Sequence, residues 1–510
     1  MPTTTSPVQH ALAIRELLSR IFLYSTTASN AVNARVCKLW SNEALSVNWY
    51  NIDAGALLNL LEPEALDLWS FGVSNAEAWA RFDEYAWRVR VLSFRPNDDF
   101  PYVVFDQALN MKFECNGPLV PNLSALSIDF ESDMIHHIIA LFGHSSVRSL
   151  TLEPYIFDDF RECSEPLETA LSIFKTALIN MPSLRSFGVF EYDEVEESFI
   201  AVQAFASIIG GFHQLEEVQI PAFWLTDPVV DSLASLPCLR SLEIRLSDTP
   251  SLAQFSTIPA MINNYFPSLE RIHIDTDDVN QAIRWFAHPR FPRTLTSLVV
   301  YLHQPDDNRT TDGCVHLLEV IGSHLRHLRT LYLEESSYDF GAPYSFETMR
   351  PLLLLSDLRH ISLIMVNDII ICQNELVGVF KALPFLESFD ISNSTPVDVS
   401  CLAEIAPIAR QLEVLDLNWC TPPHAVTLPR VHLPFAQLKS ISGDLRFDLP
   451  PIAVAEFFED VLLPECNVPK TWGLVYDVRA AFARVREKER RRRAPALGWV
   501  YVGPVVMGHP

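Results

Sequence analysis

Glycine is scarce in this chain, at 16 of 510 residues, and its absence excludes the phosphate-cradling loops. Neither Gly-x-Gly-x-x-Gly nor Gly-x-x-x-x-Gly-Lys occurs. Gly-x-Ser-x-Gly and His-Glu-x-x-His are missing as well, so no local signature of a nucleotide enzyme, serine hydrolase or zinc peptidase is present. The nine cysteines stand singly, without a Cys-x-x-Cys pair, which suits reduced thiols better than a disulfide framework. Long apolar runs are absent too. The best, "ISLIMVNDIIIC" (361–372), is broken by Asn367 and Asp368, so no membrane span is expected. The opening "MPTTTSPVQHALAIRELL" has neither a basic leader nor a long apolar core, and no secretion signal is read there. The expected compartment is the cytoplasm, the nucleus or both. Positive charge is also short: 38 Lys and Arg stand against 63 Asp and Glu, a net −25, which argues against nucleic acid as the main ligand. One tract runs the other way. "RAAFARVREKERRRR" (479–493) carries eight Lys/Arg against two Glu, and reads as a solvated helix end or, alternatively, an import signal.

What is abundant is a repeat. With 49 % hydrophobic and 20 % charged residues the composition is globular, and the length exceeds one ordinary core. Thirteen hexamers of the form apolar-x-x-apolar-x-apolar recur in one phase: 89–94, 123–128, 147–152, 184–189, 215–220, 239–244, 269–274, 295–300, 328–333, 358–363, 386–391, 412–417 and 438–443. The last ends in Gly443 instead of an apolar residue. Successive starts lie 24 to 37 residues apart. The final x-apolar-x-apolar has the period of a strand with one buried face. Between hexamers the period becomes helical. "EPLETALSIFKTALINM" (165–181) sets Leu167, Leu171, Phe174, Leu178 and Met181 along one stripe, and Thr226 or Asp227 caps a helix that has Pro228 in its first turn. Such strand–helix units cannot bury their own apolar faces and must stack. The expected fold is α/β: an irregular leucine-rich-repeat-like horseshoe with a parallel strand row inside and helices outside. The consensus Asn or Cys at the ninth repeat position is met only by Asn97 and Cys420, so no regular asparagine ladder is expected.

The first fifty residues have a different pattern. Ile14, Leu17, Leu18, Ile21 and Phe22 form one amphipathic stripe. After a polar loop, "STTASN", a second helix is expected to carry Val32, Val36, Leu39 and Trp40, with Ser41 capping a third short helix. So small a helical set must dock on its neighbour or keep apolar surface for a partner.

These residues, "RELLSRIF" and "VCKLW" above all, resemble the F-box, the adaptor-binding module of Skp–cullin–F-box ubiquitin ligases. "WARFDEYAWRVRVLSF" (79–94) looks like the helix-to-first-strand joint of fungal-type F-box proteins, and an F-box followed by leucine-rich repeats is a recurrent architecture of that family. The Leu-Pro pair that normally opens the motif is here Leu12–Ala13–Ile14. The resemblance implies an F-box over 8–52, a helical linker or cap over 53–88, a solenoid over 89–465 and a C-terminal segment over 466–510. It implies that Leu12, Ile14, Leu17, Leu18, Ile21, Phe22, Val36, Cys37 and Trp40 build the module's core or its adaptor contact, with Cys37 expected as a small buried group. The implied role is a non-catalytic substrate receptor, binding a Skp-type adaptor, through it a cullin, and a target protein. The alternative is a leucine-rich-repeat scaffold whose degenerate F-box serves as an N-terminal cap.

The target side would be the strand face turned from the core. The third and fifth hexamer residues, with the one just after, place Glu217, Glu243, Arg245, Arg271, His273, Asp275, Tyr332, Glu334, His360, Asp390 and Asp416 there, together with Asp129, Glu153, Gln219 and Asn418. Carboxylates outnumber bases, which fits a basic peptide as target and equally fits the plain solvated face of an acidic protein. No cofactor, metal, nucleic acid or membrane is expected as a partner. His316, His324 and His327 lack ligand-type neighbours at coordinating spacing and read as surface histidines.

Overall fold

The computed structural model describes residues 12, 14–61, 76–95, 117–129, 132–152, 166–190, 198–245, 266–288, 291–303, 311–336, 342–391, 393–421, 428–429, 431, 433–446, 449–463 and 465–493. The chain divides into two compact units, Met1–Pro305 and Asp306–Pro510.

The first unit opens with three helices, α1 (Arg15–Leu23), α2 (Thr27–Asn33) and α3 (Lys38–Asn48). The breaks differ from the sequence expectation. Helix α2 begins inside the "STTASN" stretch, because the Thr26 side chain accepts from Ser29 N at 3.2 Å and caps it. The chain then breaks at 34–37, so Leu39 and Trp40 belong to α3 and Ser41 lies inside that helix.

A parallel row of nine strands follows: β1 (Asn51–Asp53), β2 (Val91–Phe94), β3 (Ala125–Ile128), β4 (Ser149–Leu152), β5 (Ser186–Val189), β6 (Glu217–Pro221), β7 (Ser241–Arg245), β8 (Arg271–Thr276) and β9 (Ser297–His303). Between them run α4 (Ala54–Leu58), α5 (Ala76–Ala86), α6 (Ser132–Phe142), α7 (Pro166–Asn180), α8 (Ser198–Ile208), α9 (Asp227–Ala234) and α10 (Val279–Phe286). Strand β1 carries no hexamer. It enters the row because α3 runs straight into it and it pairs with β2 in register.

In the second unit, α11 (Thr311–His324) precedes a parallel row made of β10 (Thr330–Ser336), β12 (His360–Ile364), β14 (Ser388–Ile391), β16 (Val414–Leu417) and β18 (Ser440–Ser442). Short strands β11 (Tyr344–Ser345) and β13 (Ile369–Ile370) pair beside it, as do β15 (Val397–Asp398), β17 (Trp419–Cys420) and β19 (Leu445–Arg446). Helices α12 (Gln373–Ala382), α13 (Leu402–Ile405), α14 (Pro451–Val461) and α15 (Leu474–Arg493) complete it.

All thirteen hexamers are strands of these rows, and each unit is a leucine-rich-repeat-like stack. The register explains the constant phase. Leu92, Leu126, Leu150, Phe187, Val218, Leu242, Ile272 and Leu298 are successive partners, as are Leu331, Ile361, Phe389, Leu415 and Ile441. Every one of them is buried, and so is the first residue of every hexamer. A slip of one residue would turn this whole set to solvent. Helix α7 buries Ala170, Ile173, Phe174 and Ala177, a stripe rotated from the expected one, which leaves Leu171 and Leu178 half-buried. Its Phe174 packs edge-on to Phe187 and Phe205, and Trp224 lies 5.3 Å from Phe205.

The Gly443 departure has a backbone cause. Its φ is +103°, and a Cβ there would lie 1.8 Å from the Leu417 carbonyl oxygen. A short asparagine ladder exists in the second unit, offset from the ninth position. Asn393 Nδ2 donates to the Met365 carbonyl, and Asn418 Nδ2 to that of Ser394 at 2.8 Å, while Asn418 Oδ1 accepts from Asp444 N at 3.1 Å. Cys420 directs its thiol to the Pro396 carbonyl at 3.6 Å. Asn97 lies outside the described residues.

Candidate functional site

The three N-terminal helices sort the candidate residues into two faces. Leu18 and Phe22 are 0 % and 1 % exposed and form the core with Ala44, with Leu12, Leu39, Trp40 and Val47 packed around them. The Trp40 ring meets Phe22 edge-on at 5.5 Å, and its indole N–H reaches the Leu12 carbonyl at 3.4 Å. That bond holds the entry to α1 where the proline is missing. Helix α1 winds, so the neighbouring stripe faces outward: Leu17 and Ile21 are 42 % and 47 % exposed, and Ile14 is exposed beside them. Val32 and Val36, at 65 % and 60 %, are likewise outside. Cys37 is exposed, against expectation. It occupies the N-cap of α3 in extended backbone (φ −162°, ψ 168°), so its side chain never joins the helical stripe.

These helices are tied to the first strands. Buried Arg88 reaches the Asn42 carbonyl at 3.4 Å and Ser46 Oγ at 3.2 Å, and stacks over Trp87 at 4.5 Å. Burial lowers its pKa from the ordinary arginine value. Trp49 packs on Tyr85 at 4.5 Å.

The strand face of the first unit brings seven of the expected residues together, five in one network and two in an adjacent ion pair. Glu243 Oε1 accepts from Arg245 Nε at 2.8 Å and from Gln219 Nε2 at 3.2 Å, with His273 Nδ1 at 3.6 Å. His273 Nε2 lies 3.0 Å from Asp275 Oδ1, and the His273 ring sits 5.2 Å from Tyr301. Arg271 spans β7 to reach Glu217 Oε1 at 3.1 Å. Next to these pairs opens a cavity of about 400 Å³, lined by Thr151, Ser186, Gly188, Phe190, Glu217, Gln219, Ser241, Glu243, Arg271 and His273 among others. Arg245 stacks over Phe190 at 4.9 Å. Phe190 and Tyr301 escaped the sequence reading, although both follow a hexamer at the outward position that yielded Arg245 and Asp275.

The second unit's face is built differently. Tyr332 donates to Glu334, and Ser362 Oγ to Asp390 Oδ2 at 2.8 Å. Asp390 and Asp416 stand opposite each other on β14 and β16. Burial raises the Asp416 carboxyl above its ordinary pKa; the Ser442 hydrogen bond opposes that shift and the Asp390 charge adds to it. His360 Nε2 lies 3.7 Å from Glu387, which also accepts from Arg359 at 2.7 Å. Behind this face, Glu335 accepts from the Tyr344 hydroxyl at 3.0 Å and from Val366 N at 3.4 Å, a knot the hexamer pattern does not mark.

Asp129 follows β3, and Asn418 serves the ladder rather than the open face. Glu153 lies outside the described residues. His316, His324 and His327 are exposed and bond separate partners: Glu319 at 3.2 Å, the Val320 carbonyl at 3.1 Å and Asp357 at 3.6 Å. No group of three His, Cys, Asp or Glu among the described residues is placed to hold a metal. No described helix is long and apolar enough to cross a membrane. Arg479, the first residue of the basic tract, departs from the reading of that tract as a solvated helix end. It is buried against Glu459 Oε1 at 2.9 Å, and the helix itself continues to Arg493.

No protein-family model matches the chain, and no curated protein matches it. Among solved structures, an internalin from Listeria monocytogenes is 12 % identical, covering 79 % of this chain and 97 % of its own, at a TM-score of 0.35. The leucine-rich repeat-containing protein LegL7 from Legionella pneumophila is 14 % identical over 61 % of this chain and 86 % of its own, at 0.33. The Rad7 and Elc1 complex in yeast gives 13 % identity over 89 % of this chain and 87 % of that one, at 0.31. Alignments this loose add nothing to the repeat architecture visible in the strands themselves.

Proposed function

We propose that this chain is the substrate-recognition subunit of a Skp–cullin–F-box ubiquitin ligase, working in the cytoplasm or nucleus as a binding protein without a catalytic centre. The N-terminal helices dock the Skp-type adaptor, and through it a cullin; the strand faces hold the target protein. The domain division follows from this: an F-box over 8–52, a joint over 53–88, a solenoid over 89–465 and a C-terminal segment beyond. Ubiquitin transfer is catalysed elsewhere in the assembly, and this subunit contributes by raising the effective concentration of the target.

The observation supporting this reading is the exposed apolar stripe of Leu17 and Ile21 on α1, with Val32 and Val36 also exposed, on a helical set that already has its own core. A purely structural cap would turn that stripe inward. A second reading, a scaffold whose helices only close the repeat stack, is favoured by the pairing of β1 with β2 and by the Arg88 contacts with α3.

Co-purification with a Skp-type adaptor tests the choice. The wild type binds stoichiometrically, and Leu17→Asp and Ile21→Asp each abolish binding with an unchanged circular dichroism spectrum, since both side chains are already in water. Leu18→Asp is unsuitable because it would place a charge in the core. A wild type that fails to bind overturns the receptor reading and leaves the scaffold.

A further inference from the structure

The receptor reading assigns the strand face to a target but leaves its chemistry open, and the cavity beside β6 and β7 narrows it. Resting on that reading of the strand face, we propose that this cavity takes the arginine or lysine side chain of an extended peptide from the target protein.

Two carboxylates line the cavity, and each spends only one oxygen. Glu217 Oε1 holds Arg271, and Glu243 Oε1 accepts from Arg245 and Gln219 together. Their second oxygens accept no hydrogen bond from a described residue. Glu243 is the more enclosed of the two, at 27 % exposure, and its second oxygen is satisfied best by a charged donor, whose bond is about twice as strong as a neutral one; Glu217, 55 % exposed, adds its charge at the rim. The charge balance agrees. Glu217, Glu243 and Asp275 outnumber Arg245 and Arg271, so with His273 uncharged the cluster keeps one negative charge, on a chain of net −25. An acidic peptide would meet that surplus, whereas a basic side chain removes it.

Shape points the same way. Ser186, Gly188 and Ser241 form a low floor that lets a peptide backbone come close to the sheet. Phe190 stands as an aromatic wall beside it and already stacks one guanidinium, that of Arg245, at 4.9 Å. A Cβ on Gly188 would lie 3.3 Å from Phe190 Cε2, so the glycine sets the position of the ring. A cavity of about 400 Å³ holds one long side chain with its aliphatic stem along Phe190 and its charged head between the carboxylates.

The test uses the full chain and fluorescence anisotropy of two labelled Gly/Ser peptides, one carrying two arginines and one carrying two glutamates in their place. The arginine peptide binds about ten-fold more tightly or better. The double variant Glu217→Gln/Glu243→Gln loses about ten-fold of that affinity or more. Glu217→Gln alone, at an exposed position that leaves the fold intact, loses several-fold, and Glu319→Gln on helix α11, away from the strand faces, changes nothing. Equal binding of the two peptides, tighter binding of the glutamate peptide, binding of neither, or an arginine preference that survives both substitutions each overturns the proposal; the last would mark only a diffuse acidic surface. Adaptor co-purification on the same preparations separates the two claims. Adaptor binding without the peptide preference overturns the cavity assignment alone, and the preference without adaptor binding overturns the ligase reading alone.

Discussion

The two units solve the same problem, a strand face crowded with carboxylates, by different means. In Met1–Pro305 the two glutamates of the cluster meet cations, Glu217 with Arg271 and Glu243 with Arg245, while Asp275 meets the His273 imidazole. In Asp306–Pro510 hydroxyls serve the outward carboxylates, Tyr332 for Glu334, Ser362 for Asp390 and Ser442 for Asp416. The exposed cations Arg359 and Lys439 pair with Glu387 and Glu413 at their flank, and the buried ion pair, Glu459 with Arg479, lies behind the last repeats. An exposed pair is worth little because water competes for both partners, whereas a buried one is costly to break because the survivor has no water to turn to. Charge on the first face is therefore available for recognition, while charge in the second unit bears on stability.

The sharpest test of that contrast is to break one ion pair of each kind. Arg479→Met strands Glu459 at a site where the two side chains are 8 % and 12 % exposed, and it costs about 3–5 kcal/mol in urea unfolding. Asn418→Ala comes next. It deletes a bond to the Ser394 carbonyl and leaves Asp444 N without its acceptor, a loss of about 2 kcal/mol seen as a lowered unfolding midpoint. Asp416→Asn goes the other way. The folded-state pKa lies above the ordinary 3.8, so the folded chain binds the proton more tightly than the unfolded one, and stability falls as pH rises through the folded value. The variant is thus more stable than wild type at pH 7, by under about 1 kcal/mol after solvent screening, and the gain disappears below pH 3.8. The smallest effect belongs to Arg271→Ala. With Arg271 and Glu217 56 % and 55 % exposed, unfolding shifts by no more than about 0.5 kcal/mol. A large loss there would show that the first unit's pairs hold the fold, and the contrast between the units would fail.

The repeat was legible because stacking demands it. Leu215, Val218 and Ile220 have to be buried together in every turn, and a constant phase of apolar residues is the only pattern that permits in-register parallel pairing. Strand β1 was invisible because its three residues, Asn51 to Asp53, are held by their neighbours and carry no apolar signature of their own. The break before Cys37 is not marked in the sequence because Val36, Leu39 and Trp40 keep a helical period across it, and only the packing of Trp40 on Phe22 and Leu12 decides where α3 begins. Outward hexamer positions put Glu243, Arg245 and His273 on the same side of their strands, and their side chains lie near one another in the structure. They could not show that Glu243 gathers two donors on one oxygen, nor that Gly188 makes room for Phe190.

The sequence by itself determined the α/β repeat architecture, the phase of every hexamer strand and the presence of an amphipathic helical set at the start, since these follow from short-range periodicity and the need to bury apolar faces. Which side of α1 faces water, which carboxylates share a cation and where a cavity opens were settled only by the tertiary structure. Those properties depend on side chains brought together from strands 24 to 54 residues apart, and no local pattern records such distances.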